Sequence, residues 1–223
     1  MVMDKKLLMA IPTYKFIPSI SFSHMMGTLL DGVNCGLVKS LTMEADMYVT
    51  MARNSMCRGA LELEKKGEVT HILMIDDDVL VPNGAIKKIC EHDVPVVSGV
   101  YYTRDLKPVV YNFDPYKMFE DIQTSGTIEC DGAGAGFLLI SCELLRGMRD
   151  RFNSEWWFQN NIEVDGGKEK YLGEDVFFFR RLKEMGIKCL VDCDVQCGHA
   201  GISIADRSVF ELKKNMKNSS GLG

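Results

Sequence analysis

Residues 71–82 read His-Ile-Leu-Met-Ile-Asp-Asp-Asp-Val-Leu-Val-Pro, an apolar run of strand length that ends in three consecutive carboxylates. The apolar part lacks polar alternation, which is typical of a strand buried on both faces of a sheet. Three adjacent carboxylates repel one another and are costly to desolvate, so they must lie where the strand leaves the core. We therefore predict a central buried strand with Asp76, Asp77 and Asp78 at its carboxyl end.

Two interpretations of these aspartates remain open. Side chains alternate along a strand, so Asp76 and Asp78 are expected on one side and Asp77 on the other. Such a pair offers hard oxygen ligands to Mg²⁺ or Mn²⁺. The alternative is that one aspartate caps a turn before a helix beginning near Asn83, while the others are solvated.

Strands and helices alternate along the chain around this central strand. The apolar pattern predicts a strand over residues 6–11, a helix over 19–30 that Asp31-Gly32 ends, a strand over 35–41 and a helix over 46–66. This order predicts an α/β fold with a mostly parallel central sheet flanked by helices. Ligands of such sheets bind at the carboxyl ends of the strands, so the loop Pro12-Thr13-Tyr14 is a candidate binding loop.

The second half of the chain contains three further features. Residues 103–126, punctuated by prolines, are expected to form an inserted region over the site. The glycine run over residues 132–136 permits close approach of the backbone to a ligand or to a neighbouring strand. Residues 152–170, with Trp156 and Trp157 among polar residues, have the composition of a mobile loop.

The whole-chain composition excludes several classes of protein. With 223 residues we expect a single domain over 1–223, weakly ordered from about residue 208. The net charge of -5, without a basic stripe, argues against nucleic-acid binding. No apolar run reaches membrane-spanning length, and the amino-terminal apolar segment is too short for a secretory signal. We expect a soluble, cytoplasmic protein.

The eight cysteines are scattered through core-like segments, so we expect reduced thiols and no disulfide framework. Cys189, Cys193 and Cys197, followed by His199, could be read as soft zinc ligands. Their apolar and β-branched neighbours favour a strand in which the three cysteines pack on one side. We favour the packing role.

Several motifs far apart in the sequence resemble, in their order and spacing, those of the GT-A fold glycosyltransferases, especially the inverting, family-two-like group. The motifs are Ala52-Arg53-Asn54, Asp76-x-Asp78, Val97-Ser98-Gly99-Val100-Tyr101, the segment from Gly134 to Ile140, Glu174-Asp175 and Gly198-His199. The resemblance extends from Pro12 to His199. It implies a single GT-A (Rossmann-like) domain that transfers a sugar, with a hexosyl group expected, from a nucleotide diphosphate-sugar to a hydroxyl acceptor.

The resemblance also implies a divalent cation, Mn²⁺ or Mg²⁺, at the diphosphate of a UDP- or GDP-sugar. A hard cation would neutralise the charge of the leaving diphosphate. Asp78 is the first choice of ligand, with Asp76 at the ribose or the metal and His199 completing the set. A structural role is the alternative for His199, because a lone histidine is more often structural than a ligand.

Donor-binding roles are implied for a larger set of residues. Pro12, Thr13 and Tyr14 would hold the base and ribose, and Arg53 and Asn54 the nucleotide. Donor contacts are also implied for Asp76, Asp77, Arg104, Asp131 and Gly134. The alternatives are ordinary ones: a surface turn for Tyr14, a solvated helix face for Arg53 and Asn54, and a solvated loop residue for Arg104.

The resemblance gives Asp175 the role of the general base, with Glu174 the nearest substitute. A carboxylate within hydrogen-bond reach can take the proton of an acceptor hydroxyl as the sugar-phosphate bond breaks. The alternative is that both acids only stabilise a helix start. Trp156 and Trp157 would form an acceptor or donor platform or a lid, or would simply pack a loop onto the core.

Two other functions remain open for this sequence. A nucleotidyltransferase would use the same phosphate geometry but release pyrophosphate. A non-catalytic module binding nucleotide sugars or carbohydrates would bind the donor without turnover.

Overall fold

The computed structural model describes residues 5–14, 17–103, 105–113, 116–165, 168–201 and 206–219. The helices are α1 (Ser19–Asn34), α2 (Val49–Lys65), α3 (Ala85–Cys90), α4 (Cys142–Phe152), α5 (Glu174–Glu184) and α6 (Arg207–Ser219). The strands of the first half are β1 (Leu7–Pro12), β2 (Val38–Glu44), β3 (His71–Ile75), β4 (Val79–Leu80), β5 (Val96–Val100), β6 (Val110–Phe113) and β7 (Tyr116–Met118). Those of the second half are β8 (Thr127–Cys130), β9 (Gly132–Ala133), β10 (Phe137–Ser141), β11 (Asn161–Asp165), β12 (Lys168–Leu172), β13 (Cys189–Gln196) and β14 (Gly198–His199).

A seven-stranded central sheet has the strand order β2-β1-β3-β10-β5-β13-β8. Strands β2, β1, β3, β5 and β13 run in one direction, while β10 lies antiparallel between β3 and β5, and β8 is antiparallel at the edge. Helices cover both faces of the sheet. The predicted fold class, an α/β fold with a mostly parallel central sheet flanked by helices, is confirmed.

Strands β1 and β3 are buried on both faces, as their unbroken apolar runs predict. Successive residues of each strand belong to different apolar cores. Ile72 and Met74 pack in the core that contains residues of α2, α4 and α5, whereas Leu73 and Ile75 pack in the core that contains residues of α1 and α3. The two cores therefore hold the sheet between two helical layers.

Helix α1 is longer than predicted. Gly32 does not end it, because its helical position lets the helix pack closely on Val38: a Cβ at Gly32 would lie 2.4 Å from Val38 Cγ2. The chain leaves the helix at Gly36, which has φ of 73°. The following strand, β2, consequently begins at Val38 and not at Cys35.

The segment predicted as a mobile loop contains regular structure. Strands β11 and β12 form an antiparallel hairpin in which Asn161 faces Leu172. Before the hairpin, Trp157 and Phe158 are fully buried. The predicted weak tail forms α6, whose Phe210 packs in the same core as Ile72.

All eight cysteines are free thiols, and Cys189, Cys193 and Cys197 are buried packing groups on or beside β13. Within the described ranges no helix is both long and apolar enough to cross a membrane. That residues 1–223 form one domain stays a prediction.

Candidate active site

Four loops of the candidate site lie at one edge of the central sheet. They follow β1, β3, β5 and β13, which run in the same direction, so their carboxyl ends meet at this edge. The loops carry Tyr14, the three aspartates, Tyr101 and His199. This is the edge at which open α/β sheets bind ligands.

The three aspartates lie on a turn and not on the strand. Strand β3 ends at Ile75, and the Val79 amide donates to the Asp76 carbonyl at 3.1 Å, which closes a four-residue turn. Strand alternation therefore does not apply to these residues. Asp76 and Asp78 nevertheless line one cleft together, and Asp77 does not.

His199 is brought to Asp78 by backbone pairing. Strand β14 pairs with β4 so that His199 faces Val79, and the Ala200 amide donates to the Asp78 carbonyl at 2.7 Å. The imidazole Nε2 lies 2.9 Å from Asp78 Oδ2, and Nδ1 lies 3.0 Å from the Tyr102 carbonyl. Because a carbonyl can only accept, Nδ1 carries a hydrogen and Nε2 is the nitrogen directed at Asp78.

Arg53 joins the acidic turn to the start of α5. Its Nη2 donates to Asp76 Oδ1 at 2.6 Å, and its Nη1 donates to Glu174 Oε1. The arginine is only 2% exposed. Burial opposes its charge, but the carboxylates of Asp76 and Glu174 hold the pKa of Arg53 above its ordinary value.

The environment of Asp175 raises the pKa of its carboxyl group. It lies in the first turn of α5, and its Oδ1 accepts a hydrogen bond from the Val176 amide at 2.7 Å. Burial, and then the negative charge of Glu174, raises the pKa of Asp175 to about 6, although Arg53 opposes the rise. A base with this pKa is largely ionised at pH 7 and still accepts a proton readily.

Two clefts meet at the acidic turn. The first, which we call the Tyr14 cleft, has a volume of about 430 Å³ and is lined by Pro12, Thr13, Tyr14, Met47, Tyr48, Val49, Asp76, Asp77 and Asp78. The second, the Asp175 cleft, has a similar volume of about 430 Å³ and is lined by Asp76, Asp78, Tyr101, Thr103, Val109, Asp175 and His199. Asp76 and Asp78 belong to both clefts, so these two carboxylates connect the cleft of the predicted nucleoside loop to the cleft of the predicted base.

Asp77 belongs to the Tyr14 cleft alone. Burial, and then the negative charges of Asp78 and Asp76, raises its pKa above the ordinary value. A hydrogen bond from the Tyr14 backbone opposes this rise and ties the acidic turn to the loop after β1.

Asn54 is fully buried and its amide is occupied by the protein. Its Nδ2 donates to the Phe158 carbonyl at 2.7 Å, and its Oδ1 accepts from the amides of Trp157 and Phe158 at 2.8 and 3.1 Å. The structure thus places Asn54 as an anchor of the segment before the hairpin, and it lines neither cleft. The motif Ala52-Arg53-Asn54 therefore combines a site residue with a structural one.

Asp131 also lies outside both clefts. It is 3% exposed, accepts from the Phe113 amide at 2.8 Å and from Lys183 Nζ at 3.0 Å, and is paired with Lys188. Burial raises the pKa of Asp131, but these hydrogen bonds outweigh it and lower the pKa to about 2. The carboxylate is the centre of an internal ion-pair cluster.

The two tryptophans have different positions. Trp157 is fully buried, with its Nε1 donating to the Leu145 carbonyl at 2.9 Å, whereas Trp156 is 49% exposed. Only Trp156 therefore offers a surface to a ligand. Arg104 lies outside the described residues.

Six residues that line the clefts received no role from sequence reasoning. They are Met47, Tyr48, Val49, Tyr101, Thr103 and Val109, and two of them are aromatic residues with exposed or cleft-facing positions. Tyr101 received no role, although it is the first residue after β5 and the carboxyl-edge rule applies to it. Tyr48 directly precedes α2 and is 74% exposed in the wall of the Tyr14 cleft. An aromatic residue before a helix has no special signal in a single sequence.

Asp78 and His199 suit a hard divalent cation whose remaining ligands come from a bound diphosphate and water. In the described part of the chain, no group of three or more His, Cys, Asp or Glu side chains is arranged to hold a metal ion. Asp78 and His199 are in contact, and a carbonyl orients the imidazole as in many metal sites. Mg²⁺ and similar cations commonly take one or two protein ligands and complete their shell with phosphate oxygens and water, so two protein ligands fit a diphosphate-bound ion.

No protein-family model and no curated protein matches the sequence. Among solved structures, A197 from STIV is similar with a TM-score of 0.58 at 18% identity, covering 88% of this chain and 86% of that one. The catalytic domain of Drosophila beta1,4galactosyltransferase 7, solved in complex with xylobiose, has a TM-score of 0.46 at 13% identity; the match covers 84% of this chain and 65% of that one. The inositol-1-phosphate CTP transferase from T. maritima has a TM-score of 0.46 at 12% identity, with 96% and 97% covered. The similarity to A197 supports the fold alone.

Proposed function

We propose that this protein is a metal-dependent, inverting glycosyltransferase that moves a sugar, expected to be a hexose, from a UDP- or GDP-sugar to a hydroxyl acceptor. One observation carries the proposal. Asp175, a carboxyl group with its pKa raised to about 6, lines the same cleft as Asp76, Asp78 and His199. A base near a site for a charged leaving group is the arrangement that transfer to a hydroxyl requires.

The nucleoside would occupy the Tyr14 cleft. Tyr14 and Tyr48 are 57% and 74% exposed, so both rings are accessible for contact with a base. The diphosphate would then lie at Asp76 and Asp78, where the two clefts meet, and the sugar would extend into the Asp175 cleft. Asp77 would face the nucleoside side.

Asp78 and His199 would hold the divalent cation, which when bound neutralises the charge of the diphosphate. Asp76 has one oxygen bonded to Arg53 and would orient the ligand more than it ligates. Arg53 keeps the acidic turn and the start of α5 at a constant separation, because its guanidinium bonds to both. It thereby positions Asp175 relative to Asp76.

Asp175 is a better candidate for the base than Glu174, whose carboxylate is paired with Arg53. The acceptor hydroxyl would give its proton to Asp175 while its oxygen forms a bond to the anomeric carbon. The bond from that carbon to the phosphate oxygen breaks, and its electron pair leaves with the nucleoside diphosphate. Attack opposite to the leaving group inverts the configuration.

The test is to incubate the protein with UDP- and GDP-sugars, Mn²⁺ and sugar acceptors, and to identify the phosphorylated product. Nucleoside diphosphate release that disappears in Asp175→Asn supports the proposal. Asp194→Asn is the matched control, because Asp194 pairs with Lys88 at 3.1 Å away from both clefts. Pyrophosphate release would instead indicate a nucleotidyltransferase, and donor binding without transfer or hydrolysis would indicate a binding module.

A further inference from the structure

Tyr101 is a wall residue of the Asp175 cleft for which the proposed mechanism has no role. It directly follows β5, and its chain neighbour Tyr102 is fully buried, with its hydroxyl 3.1 Å from Gln196 Oε1. Only Tyr101 of the two lines the cleft. Its position at the carboxyl edge of the sheet therefore makes it a candidate for ligand contact.

The glycine run accommodates the ring of Tyr101. A Cβ on Gly134 would lie 2.3 Å from both Cε1 and the hydroxyl oxygen of Tyr101, and one on Gly136 would lie 3.1 Å from Cε1. A side chain at residue 134 would thus displace the ring, which explains glycine there. On another side, the rings of Tyr101 and His199 meet edge to face, with 6.1 Å between their centres.

These contacts hold the ring without using its hydroxyl. Among the described residues, no group forms a hydrogen bond with the Tyr101 hydroxyl. A tyrosine phenol ordinarily has a pKa of about 10, so the hydroxyl carries its proton at neutral pH. The site therefore contains a fixed O–H donor that is available to an acceptor on a ligand.

The position of Tyr101 indicates which part of the ligand it meets. It lines the Asp175 cleft and not the Tyr14 cleft. If the proposed function holds, the nucleoside lies in the Tyr14 cleft and the sugar reaches the Asp175 cleft. We propose that the Tyr101 hydroxyl donates a hydrogen bond to a hydroxyl oxygen of the donor sugar and so selects among donor sugars.

The experiment compares nucleotide sugars with the corresponding nucleoside diphosphates. Calorimetry in Mn²⁺ gives the Kd of UDP-glucose, UDP-galactose and GDP-mannose, and of UDP and GDP, for the wild type and for Tyr101→Phe. The matched control is Tyr111→Phe: the Tyr111 ring lies against Gly132 of the same glycine run, but its hydroxyl donates to the buried Ala133 carbonyl at 3.3 Å.

We expect Tyr101→Phe to weaken binding of the nucleotide sugar by roughly 3- to 10-fold, the usual effect of one neutral hydrogen bond. The Kd of UDP or GDP should not change, and Tyr111→Phe should change neither. A second readout uses monodeoxy analogues of the bound sugar. The wild type should discriminate against one analogue, and Tyr101→Phe should lose that discrimination.

Two results would overturn the proposal while leaving the proposed function intact. Equal weakening of the nucleotide sugar and the diphosphate would move the contact to the phosphate, and an unchanged Kd for every ligand would remove the contact. Failure of the wild type to bind any of these ligands would refute the proposed function itself. Gly134→Ala, which forces the ring to move, should reproduce the loss seen in Tyr101→Phe if the ring position matters.

Discussion

Arg53 Nη2 lies 2.6 Å from Asp76 Oδ1, and through this bond a buried helix side chain holds the acidic turn that follows the central strand. The same guanidinium is paired with Glu174, the residue before the candidate base. Residues from α2, from the end of β3 and from the start of α5 are thereby held in one cluster. Arg53 therefore links the acidic turn to the helix that carries the candidate base.

Arg53→Ala should lower the free energy of unfolding by about 3 kcal/mol, the low end for removing one partner of a buried pair, because Asp76 and Glu174 retain some contact with water. Arg53→Lys should lower it less, since an ammonium group can still pair but cannot form the two-armed contact. Urea unfolding at pH 7 measures both. Arg58 is exposed on the same helix, so Arg58→Ala should change the free energy of unfolding little. An equal loss of stability in Arg58→Ala would mean that the substitution weakens the helix and not the ion pairs.

Asp175→Asn should lower turnover by on the order of 10²–10⁴ while donor affinity stays close to normal, because a general base acts in the transition state. In the wild type, turnover should rise with pH to a plateau above an inflection near pH 6, the pKa of this carboxyl group. A profile with no inflection near pH 6, or a variant as active as the wild type, would remove Asp175 from the reaction.

The same Asp175→Asn variant should be more stable than the wild type at pH 7. The pKa of Asp175 is about 6 in the folded protein against an ordinary 3.8, so the folded state binds the proton more tightly. Stability contributed by this group therefore falls as pH rises from 3.8 to about 6 and stays lost above it. The difference corresponds to at most about 3 kcal/mol at pH 7 and should vanish below pH 4. Urea unfolding at both pH values checks it, and a destabilised variant at pH 7 would contradict the stated environment of Asp175.

Donor binding should require a divalent cation, because Asp76 and Asp78 would otherwise repel the diphosphate. Calorimetry with UDP or GDP in EDTA should show binding that is much weaker than in Mn²⁺. Asp78→Ala and His199→Gln should each reproduce the effect of the chelator. His92→Gln is the matched control, because His92 forms a similar pair with Asp192 at 2.6 Å away from the clefts. Undiminished affinity in EDTA would exclude a metal requirement.

Tyr48→Ala and Tyr14→Ala should each weaken binding of UDP or GDP by roughly 1–3 kcal/mol if the rings stack on the base. Both side chains are more than half exposed, so the melting temperature should change little. Phe22→Ala, which removes a half-exposed ring from α1 away from both clefts, is the control for non-specific effects. Equal affinities in all three variants would place the base elsewhere.

Asn54 anchors Trp157 and Phe158, so we expect the lid movement only in the hairpin formed by β11 and β12. Hydrogen exchange should therefore show slow exchange at Trp157 in all states, and increased protection of residues 161–172 when donor and Mn²⁺ bind. Equal protection of the hairpin with and without ligand would defeat the lid prediction.

Much of the fold could be predicted because its signals are local. The run from Ile72 to Ile75 has no polar residue, which predicts the buried strand that the structure shows. Ser141, a residue type that favours helix caps, accepts from the Leu144 amide at the start of α4. Helix ends were less predictable. Gly32 carries the sequence signal of a helix end, but close packing against Val38 overrides it, and this contact is invisible in a single sequence.

Sequence alone identified three features of the site, because each depends on residue type at a recognisable position. They are the carboxylates after the central strand, the candidate base in the first turn of a helix and the glycine run. Their partners depend on the tertiary structure. The β14 and β4 pairing brings His199 to Asp78, and buried Arg53 joins Asp76 to Glu174. Gly134 and Gly136 of the glycine run leave room for the ring of Tyr101. The raised pKa of Asp175 also depends on the tertiary structure, because its carboxyl group is desolvated only once the chain has packed around it.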